Sequence, residues 1–351
     1  MPSEPQTTKG SMPQRRPRKQ ATVRDVAREA GVSIATVSRA IAQPTLVRIQ
    51  TRERIDQAIK HLNYVSDGLA RALSTRRTGT IGAVIPTLDN AIYSVSTHRL
   101  QKVLEQSGYT LLLACHEFDL ASELRIVRAF IQRGVDGIAL VGTAHAPATH
   151  QLLAAHRVAC VYTWATDLSA QTASVGFDNR AAGRLIAEHL LSLGHQHIGV
   201  ISGVLEGNDR ATDRLEGLRQ CLQSAGIALP AQAVEQAQYS VQAGADALDR
   251  LISRTPLSAV VCGNDVLAIG AIQRARERGI HIPNDLSITG YDDMELARVI
   301  TPPLTTVHFP IAQVGEQTAH HLIERINQDK PARCIQLPIH LVVRGSTARA
   351  R

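Results

Sequence analysis

The chain has 351 residues, 44% of them hydrophobic, which is enough apolar material for two or three separately packed domains. It carries 38 Lys and Arg against 31 Asp and Glu, for a net charge of +7. No run of about 18 apolar residues occurs and the first residues are polar, so we expect neither a membrane-spanning helix nor a secretory signal peptide. Five single cysteines without a Cys-x-x-Cys pair are typical of a reducing compartment, and the expected location is the cytoplasm.

The positive charge is concentrated at the N-terminus. Residues 1–80 hold 15 Lys and Arg but only 6 Asp and Glu, whereas the remainder is slightly acidic. Such a distribution indicates a module that binds a polyanion, joined to a nearly neutral domain. Within this segment, residues 1–20 include the basic run QRRPRKQ and are predicted to form a disordered basic tail.

Three short helices are predicted within residues 21–67. Thr22, three residues before an aspartate, can form a capping box at the start of the first helix. After a glycine-containing turn, Ser33 can cap a second helix over 34–41, and a third helix is predicted over 51–62. Two helices joined by such a turn indicate a helix-turn-helix, whose second helix enters the major groove of DNA. The pattern alone leaves open a three-helix bundle without a DNA-binding role.

From residue 80 onward, apolar strands alternate with helices in two successive rounds. Continuous apolar strands of this kind predict parallel sheets covered by helices on both faces. The expected fold is therefore α/β, with an all-α N-terminal headpiece followed by two doubly wound subdomains. A ligand is expected in the crevice at the carboxyl ends of the strands. Residues 68–79 are predicted to form a short hinge helix and a polar linker.

The sequence resembles the family of bacterial repressors that includes the lactose and purine repressors. The residues that carry the resemblance are DVA at 25–27, AGVS at 30–33, TVSR at 36–39, TRERI at 51–55, LNY at 62–64 and LARAL at 69–73. The likeness extends to about residue 346. It implies an effector domain of the periplasmic-binding-protein type over residues 80–346, with an N-subdomain (80–178 and 308–336) and a C-subdomain (179–307 and 337–346).

The resemblance also implies which residues contact DNA. Ile34, Ala35 and Arg39 are expected to meet base edges, and Arg39 can donate two hydrogen bonds to a guanine. Leu73 is expected to wedge into the minor groove from the hinge helix. Hydroxyl groups expected to bond phosphates belong to Thr22, Ser33, Thr36, Ser38 and Thr51. Of these, Thr22, Ser33 and Thr51 are also predicted to cap helices. Two departures from the family pattern, Ala42 and Arg48, indicate a different set of DNA contacts.

Loops that follow the strands are expected to form the effector site. The resemblance implies this role for Ile92, Tyr93, Arg214, Tyr239, Asn264 and Asp292. Their position in loops after strands adds Trp164, Asn208 and Arg210. The two arginines, predicted in a loop leading into a helix, favour an anionic group on the ligand. The remaining polar and aromatic side chains favour a hydroxylated or planar body, so a sugar acid or a sugar is expected. Phe309 is predicted to lie beside the crevice.

No P-loop, dinucleotide-binding fingerprint, nucleophile elbow or metal-ligand spacing occurs in the sequence. We therefore expect no enzymatic activity, no cofactor and no metal site. The predicted function is that of a transcriptional regulator, more specifically a repressor, that binds a palindromic operator as a homodimer and is released or modulated by the effector.

Overall fold

The computed structural model describes residues 21–42, 44–65, 77–166, 172–328 and 331–351. The chain divides into two compact units after Thr78. The predicted basic tail and most of the predicted hinge, including Leu73, lie outside the described residues. Within the described ranges, no helix is both long enough and apolar enough to cross a membrane.

The N-terminal unit consists of three helices around a small core. They are α1 (Val23–Ala30), α2 (Ile34–Ala42) and α3 (Ile49–Leu62), with a 3₁₀ turn at Pro44–Leu46. The core side chains are Val26, Ala27, Ala30, Val37, Ala40, Ile55 and Ala58. Helix α1 ends at Gly31, whose φ of 64° is a left-handed conformation that glycine adopts without steric cost.

Two of the three predicted helix caps are confirmed. Thr22 and Asp25 form a reciprocal capping box, and the Ser33 hydroxyl accepts a hydrogen bond from the Thr36 amide at 3.1 Å. The third prediction is wrong, because α3 begins at Ile49 with Arg48 as its N-cap residue and no side-chain cap. Thr51 lies inside the first turn of α3, so its hydroxyl is not needed for capping.

The second unit alternates strands and helices. Its first round contains β1 (Thr80–Ile85), α4 (Ala91–Gln106), β2 (Thr110–Cys115), α5 (Leu120–Gln132), β3 (Gly137–Val141), α6 (Pro147–Ala155), β4 (Ala159–Thr163) and β5 (Ser174–Gly176). The second round contains α7 (Asn179–Ser192), β6 (Ile198–Gly203), α8 (Asp209–Ser224), β7 (Val234–Ala237), α9 (Val241–Arg254), β8 (Ala259–Cys262), α10 (Asp265–Glu277), β9 (Ser287–Asp292), α11 (Glu295–Val299) and β10 (Thr305–His308). The chain ends with α12 (Ile311–Gln328), β11 (Cys334–Gln336) and β12 (His340–Val342).

The strands form two six-stranded sheets, with the orders β11-β5-β4-β3-β1-β2 and β12-β10-β9-β8-β6-β7. We use N-subdomain for the first sheet and its helices, and C-subdomain for the second. The expected α/β architecture is confirmed, although β12 pairs antiparallel with β10 at the sheet edge. The chain passes between the sheets after β5, after β10 and after β11, so three connections border the space between the subdomains.

Helices α8 and α12 are among those that differ from the sequence prediction. Helix α8 begins at Asp209 rather than at Arg214, because the Asn208 side chain caps it by accepting from the Ala211 amide. Arg210 and Arg214 therefore lie on the first turns of a helix and not in a loop. Helix α12, which has 18 residues and packs against α4, was not predicted from the sequence.

Candidate functional site

A cavity lies between the two subdomains, at the carboxyl ends of their strands. Its lining residues are Asn90, Ile92, Tyr93, Trp164, Phe177, Asn208, Arg210, Arg214, Tyr239, Asn264, Asp292 and Phe309. All nine residues predicted for the effector site are among them, together with Phe309. Two lining residues were not predicted, Asn90 and Phe177, which stand at a helix cap and at the first connection between the sheets.

The parallel strands explain why residues so distant in sequence meet. Strands β1, β4, β6, β8 and β9 all point their carboxyl ends at the cavity, and the segment at or after each strand end supplies at least one lining residue. Trp164 and Asp292 at two of these ends have φ values of 70° and 110°, in the region that favours glycine. Such conformations cost about 1–3 kcal/mol each and are concentrated at functional sites.

Aromatic rings form one wall of the cavity. The Tyr93 and Trp164 rings meet edge to face, with centroids 5.1 Å apart. Trp164 contacts Phe177 in the same way at 6.1 Å, and Phe177 stacks on Phe309 at 4.1 Å. Phe177 and Phe309 belong to the first two connections between the sheets, so this wall is built from the segments that join the subdomains.

Three asparagines at the cavity cap helices and thereby hold fixed orientations, the first being Asn90, which accepts from the Ile92 amide at 3.3 Å. The Asn208 side chain caps α8 and donates through Nδ2 to the Tyr239 hydroxyl at 3.2 Å. Asn264 accepts from the Leu267 amide at 2.9 Å and so caps α10. Its Nδ2 is buried and has no hydrogen-bond partner among the described residues. Asn264 thus lines the cavity and has a donor without a partner among the described residues.

Arg214 is held by a hydrogen bond and by an aromatic ring. Its Nη1 donates to Asn179 Oδ1 at 3.0 Å, and its guanidinium carbon lies 5.3 Å from the centre of the Tyr291 ring. Its Nε is buried and has no partner among the described residues. Helices α7 and α8 approach closely at two glycines, since a Cβ on Gly183 would stand 2.0 Å from the Arg214 carbonyl oxygen. This close approach brings Arg214 within reach of Asn179.

Arg210 has a carboxylate partner of its own. The Arg210 Nη1 donates to Asp209 Oδ1 at 2.6 Å, and both side chains are largely buried. The other oxygen of Asp209 accepts from the Thr143 amide at 2.6 Å and from the Ala144 amide at 3.2 Å. Burial alone would raise the pKa of Asp209, but Arg210 and the Thr143 hydrogen bonds hold that pKa below its ordinary value. Asp209 is thus an ionised link between the subdomains.

A buried pair supports the turn that Asp209 binds. His145 Nδ1 lies 2.9 Å from both oxygens of Glu123, and both side chains are only 1% exposed. The other ring nitrogen of His145 lies 3.1 Å from the Gly142 carbonyl oxygen. This pair fixes the turn at residues 142–145. Neither the pair nor Asp209 was predicted, because Thr143 and Asp209 are 66 positions apart and no local pattern joins them.

Asp292 is the acidic group of the cavity. Its Oδ2 is buried and has no hydrogen-bond partner among the described residues. Burial raises the pKa of the Asp292 carboxyl well above its ordinary value; Asp265 adds to the rise, and Arg214 opposes it. Asp265 lies behind Asp292 and accepts a hydrogen bond from the Thr306 hydroxyl at 2.6 Å. Asp292 thus lines the cavity and has a carboxyl oxygen without a partner among the described residues.

In the N-terminal unit, α2 turns its predicted contact residues outward. Ile34 is 44% exposed, and the side chains of Ala35, Ser38 and Arg39 are also exposed. The hydroxyl oxygens of Ser33 and Thr36 lie 2.8 Å apart and form a hydrogen bond. Thr36 is half-buried. Ile34, Ala35, Ser38 and Arg39 thus lie on an exposed face of α2.

Comparison with known proteins agrees with both parts of the structure. Residues 22–67 match the bacterial regulatory proteins of the lacI family, and residues 187–347 match the periplasmic binding protein-like domain. The ribose operon repressor of Escherichia coli strain K12 is 34% identical over 330 residues, 93% of this chain and 99% of that repressor. The repressor PurR of Klebsiella pneumoniae is 33% identical over 333 residues, 93% of this chain and 97% of PurR.

Solved structures support the same assignment. The transcription regulator GntR from Chromobacterium violaceum is 34% identical, with a TM-score of 0.72 over 76% of this chain and 99% of that one. The lac repressor dimer bound to operator is 27% identical, with a TM-score of 0.82 over 94% of this chain and 100% of that one. A LacI family regulator from Enterococcus faecium with bound ribose is 27% identical, with a TM-score of 0.68 over 78% of this chain and 100% of that one. The chain belongs to the lacI family of bacterial regulatory proteins and is a DNA-binding transcriptional repressor regulated by a small-molecule effector.

Proposed function

We propose that this repressor binds a pseudo-palindromic operator as a homodimer and is released by a small polyhydroxylated effector, in the first place a neutral sugar. One observation carries the proposal for the effector. Arg214 Nε, Asn264 Nδ2 and Asp292 Oδ2 are buried polar atoms of cavity-lining residues that have no partner among the described residues. A buried polar group without a partner costs free energy, so a ligand that supplies the partners gains affinity.

The chemistry of these three atoms favours hydroxyl groups. Two of the atoms are donors and one is an acceptor, and a hydroxyl both donates and accepts. The wall of Trp164, Phe177 and Phe309 offers an apolar face that can cover the C–H groups of a sugar ring. A mixed set of polar atoms beside an aromatic wall fits a polyol ring better than it fits a purely apolar or a purely anionic ligand.

The ion pairs bear on the choice between a sugar and a sugar acid. The sequence-based preference for a sugar acid counted Arg210 and Arg214 as two free cations. Since Arg210 pairs with Asp209 at 2.6 Å, only Arg214 remains to attract a ligand carboxylate, and it shares the cavity with Asp292. We therefore place a neutral sugar first and keep a sugar acid, bound through Arg214, as the second candidate. The ribose bound by the Enterococcus faecium regulator supports this order.

On the DNA side, the exposed residues of α2 are proposed to read the operator. Arg39 is proposed to read a guanine, with apolar contacts from Ile34 and Ala35. Hydroxyls proposed to contact phosphates belong to Thr22, Ser33, Thr36, Ser38 and Thr51. Leu73 is proposed to wedge into the minor groove at the centre of the site. The lac repressor relative binds its operator as a dimer, which supports twofold symmetry here.

A test of the full chain does not require a known operator sequence. Selection of randomised duplex DNA on the purified protein should enrich a pseudo-palindrome, and its affinity should fall steeply with salt. Thermal-shift measurements with D-ribose, D-glucose, D-galactose and D-gluconate should then identify a stabilising ligand that also lowers operator affinity. Stabilisation by D-gluconate alone would favour the second candidate. Enrichment of no sequence, or of an asymmetric one, would contradict the operator proposal.

A further inference from the structure

A second space, which we call the mouth groove, borders the cleft between the subdomains. The N-subdomain contributes the turn that connects β2 to α5, and the C-subdomain contributes the segments that follow β6 and β7. The lining residues are Glu117, Phe118, Asp119, Leu120, Val204, Glu206, Gly207 and Gln238. None of them lines the cavity described above, so the two spaces are separate.

Two rings from opposite subdomains stand between these spaces. Phe118 lines the mouth groove and Tyr239 lines the cavity, and their ring centroids are 6.1 Å apart. Tyr239 is fixed in place, because its hydroxyl accepts from Asn208 and its ring lies over Gly203. A Cβ on Gly203 would stand 2.0 Å from the Tyr239 hydroxyl oxygen. Phe118 therefore meets an immobile partner across the cleft.

The backbone holds Phe118 in this position at a conformational cost. Glu117 and Phe118 have φ values of 49° and 61°, two consecutive left-handed conformations at residues other than glycine. The turn is fixed by hydrogen bonds from the Glu117 amide to the Pro86 carbonyl and from the Asp119 amide to the His116 carbonyl, both at 2.8 Å. Asp119 then caps α5. Two strained residues in a hydrogen-bonded turn favour a functional reason for placing the ring here.

The opposite side of the cleft is shaped to receive this turn. Gly207 faces the Phe118 carbonyl oxygen, and a Cβ at Gly207 would stand 2.8 Å from that oxygen. A side chain at this position would hold the two subdomains apart. Because Gly207 has no side chain, the turn of the N-subdomain contacts the backbone of the C-subdomain directly.

We propose that Phe118 is a gate residue that closes the cavity over the bound effector and limits the effector to the size of one sugar ring. This inference rests on the proposed function of the cavity. In the closed arrangement, a ligand that extends past Tyr239 meets the Phe118 ring. Removal of the ring joins the cavity to the mouth groove. Phe118 itself is a positioning residue, since it does not line the cavity.

Trp164 gives a readout that needs no effector. It is the only tryptophan of the chain, lines the cavity, and is 4% exposed. In the full-length protein, Phe118→Ala should raise the quenching of Trp164 fluorescence by acrylamide several-fold. Phe118→Tyr keeps the aromatic ring, and Gln238→Ala shortens a different side chain that lines the mouth groove. Trp164 in both of these variants should be quenched as in the wild type. Circular dichroism should first show that both proteins are folded. If acrylamide then quenches Trp164 equally in the wild type and in Phe118→Ala, with and without D-ribose, the proposal is overturned.

Ligand size gives a second and separate test. Calorimetry with D-glucose and with its disaccharide cellobiose should show that Phe118→Ala weakens monosaccharide binding and accepts the disaccharide, which the wild type rejects. If both proteins bind the monosaccharide, reject the disaccharide and show the same quenching of Trp164, the gate is contradicted. The proposal that the effector is a sugar is then still supported. If acrylamide quenches Trp164 more strongly in Phe118→Ala but neither protein binds a sugar or a sugar acid, the gate is supported and the proposed effector class is contradicted.

Discussion

The Asp209 carboxylate in the C-subdomain accepts a hydrogen bond of 2.6 Å from the backbone amide of Thr143 in the N-subdomain. Its other oxygen holds the guanidinium of Arg210, again at 2.6 Å. A single side chain therefore joins the two subdomains and orients a residue of the cavity. Because the subdomains must approach for these bonds to form, closure of the cleft and the geometry of the cavity are coupled.

Asp209→Asn should weaken effector binding and leave operator binding in the absence of effector nearly unchanged. The amide removes the charge that Arg210 needs and can turn an N–H₂ group toward the amides of the 142–145 turn. Hydrogen bonds to charged groups are worth about 1.5–3 kcal/mol, or roughly 10- to 100-fold in affinity. Calorimetry with the identified effector measures the change. Asp213→Asn is the matched control, since Asp213 pairs with Arg180 inside the C-subdomain and should have little effect.

Arg214→Ala should produce a repressor that stays on its operator when effector is added. The substitution removes the donor to Asn179 and the cation over Tyr291, and it leaves Asp292 without the charge that opposes the rise of its pKa. Operator binding measured by fluorescence anisotropy, with and without effector, checks this expectation. Arg219→Ala, on the exposed part of the same helix, should respond normally. A normal effector response of Arg214→Ala would contradict its proposed role.

Arg39→Ala should lose discrimination between operator and random DNA. A bidentate contact to guanine is worth about 1–3 kcal/mol of discrimination, whereas loss of a phosphate contact weakens binding to all sequences alike. Arg28→Ala is a suitable control, because Arg28 is exposed on α1 and pairs with Asp25. Competition binding with a one-base operator variant measures the difference. Effector binding should be unaffected, and a selectivity equal to that of the wild type would disprove the assignment.

The architecture could be predicted because it depends on local patterns, and the members of the cavity because those patterns were combined with the resemblance to the family. In a parallel sheet the carboxyl ends of all strands lie at the same edge, whatever the strand order. Polar residues that end apolar strands, such as Asn264 and Asp292, are therefore expected at that edge. The start of α8 lies five residues before the predicted one at Arg214, because the Asn208 side chain caps the helix and a polar run such as EGND carries the same signal as a loop. The antiparallel β12 could not be predicted, because a three-residue strand at a sheet edge carries no signal of direction.

Contacts between distant segments were beyond sequence reasoning for a different reason. The Thr143–Asp209 link and the stacking of Phe177 on Phe309 depend on how the two subdomains close, which no window of sequence contains. Phe118 is half-buried in a turn and resembles an ordinary surface aromatic until its partner Tyr239 is known. Such residues can be found only once the chain connections between the sheets are in place.

Effector affinity should rise with pH. Burial raises the pKa of the free Asp292 carboxyl well above its ordinary value, and it raises the pKa of neighbouring Asp265 to about 7. A sugar hydroxyl that donates to Asp292 Oδ2 prefers the ionised carboxylate, so binding lowers this pKa and releases a proton. Affinity is therefore lowest when Asp292 is protonated, increases as pH rises through the raised pKa of the free protein, and then levels off.

Calorimetry between about pH 5.5 and about pH 8.5, in two buffers that differ in ionisation enthalpy, would show both the affinity change and the released proton. Asp209 does not interfere, because its pKa is held below the ordinary value and it stays ionised over this range. Asp292→Asn should bind more weakly, owing to the loss of a charged acceptor, and should lose most of the pH dependence. Asp293→Asn is the neighbouring control, since Asp293 pairs with Arg344 and Arg298 rather than with the cavity. Affinity that falls as pH rises, or a pH dependence that Asp292→Asn leaves intact, would show that the ligand does not use Asp292 as an acceptor.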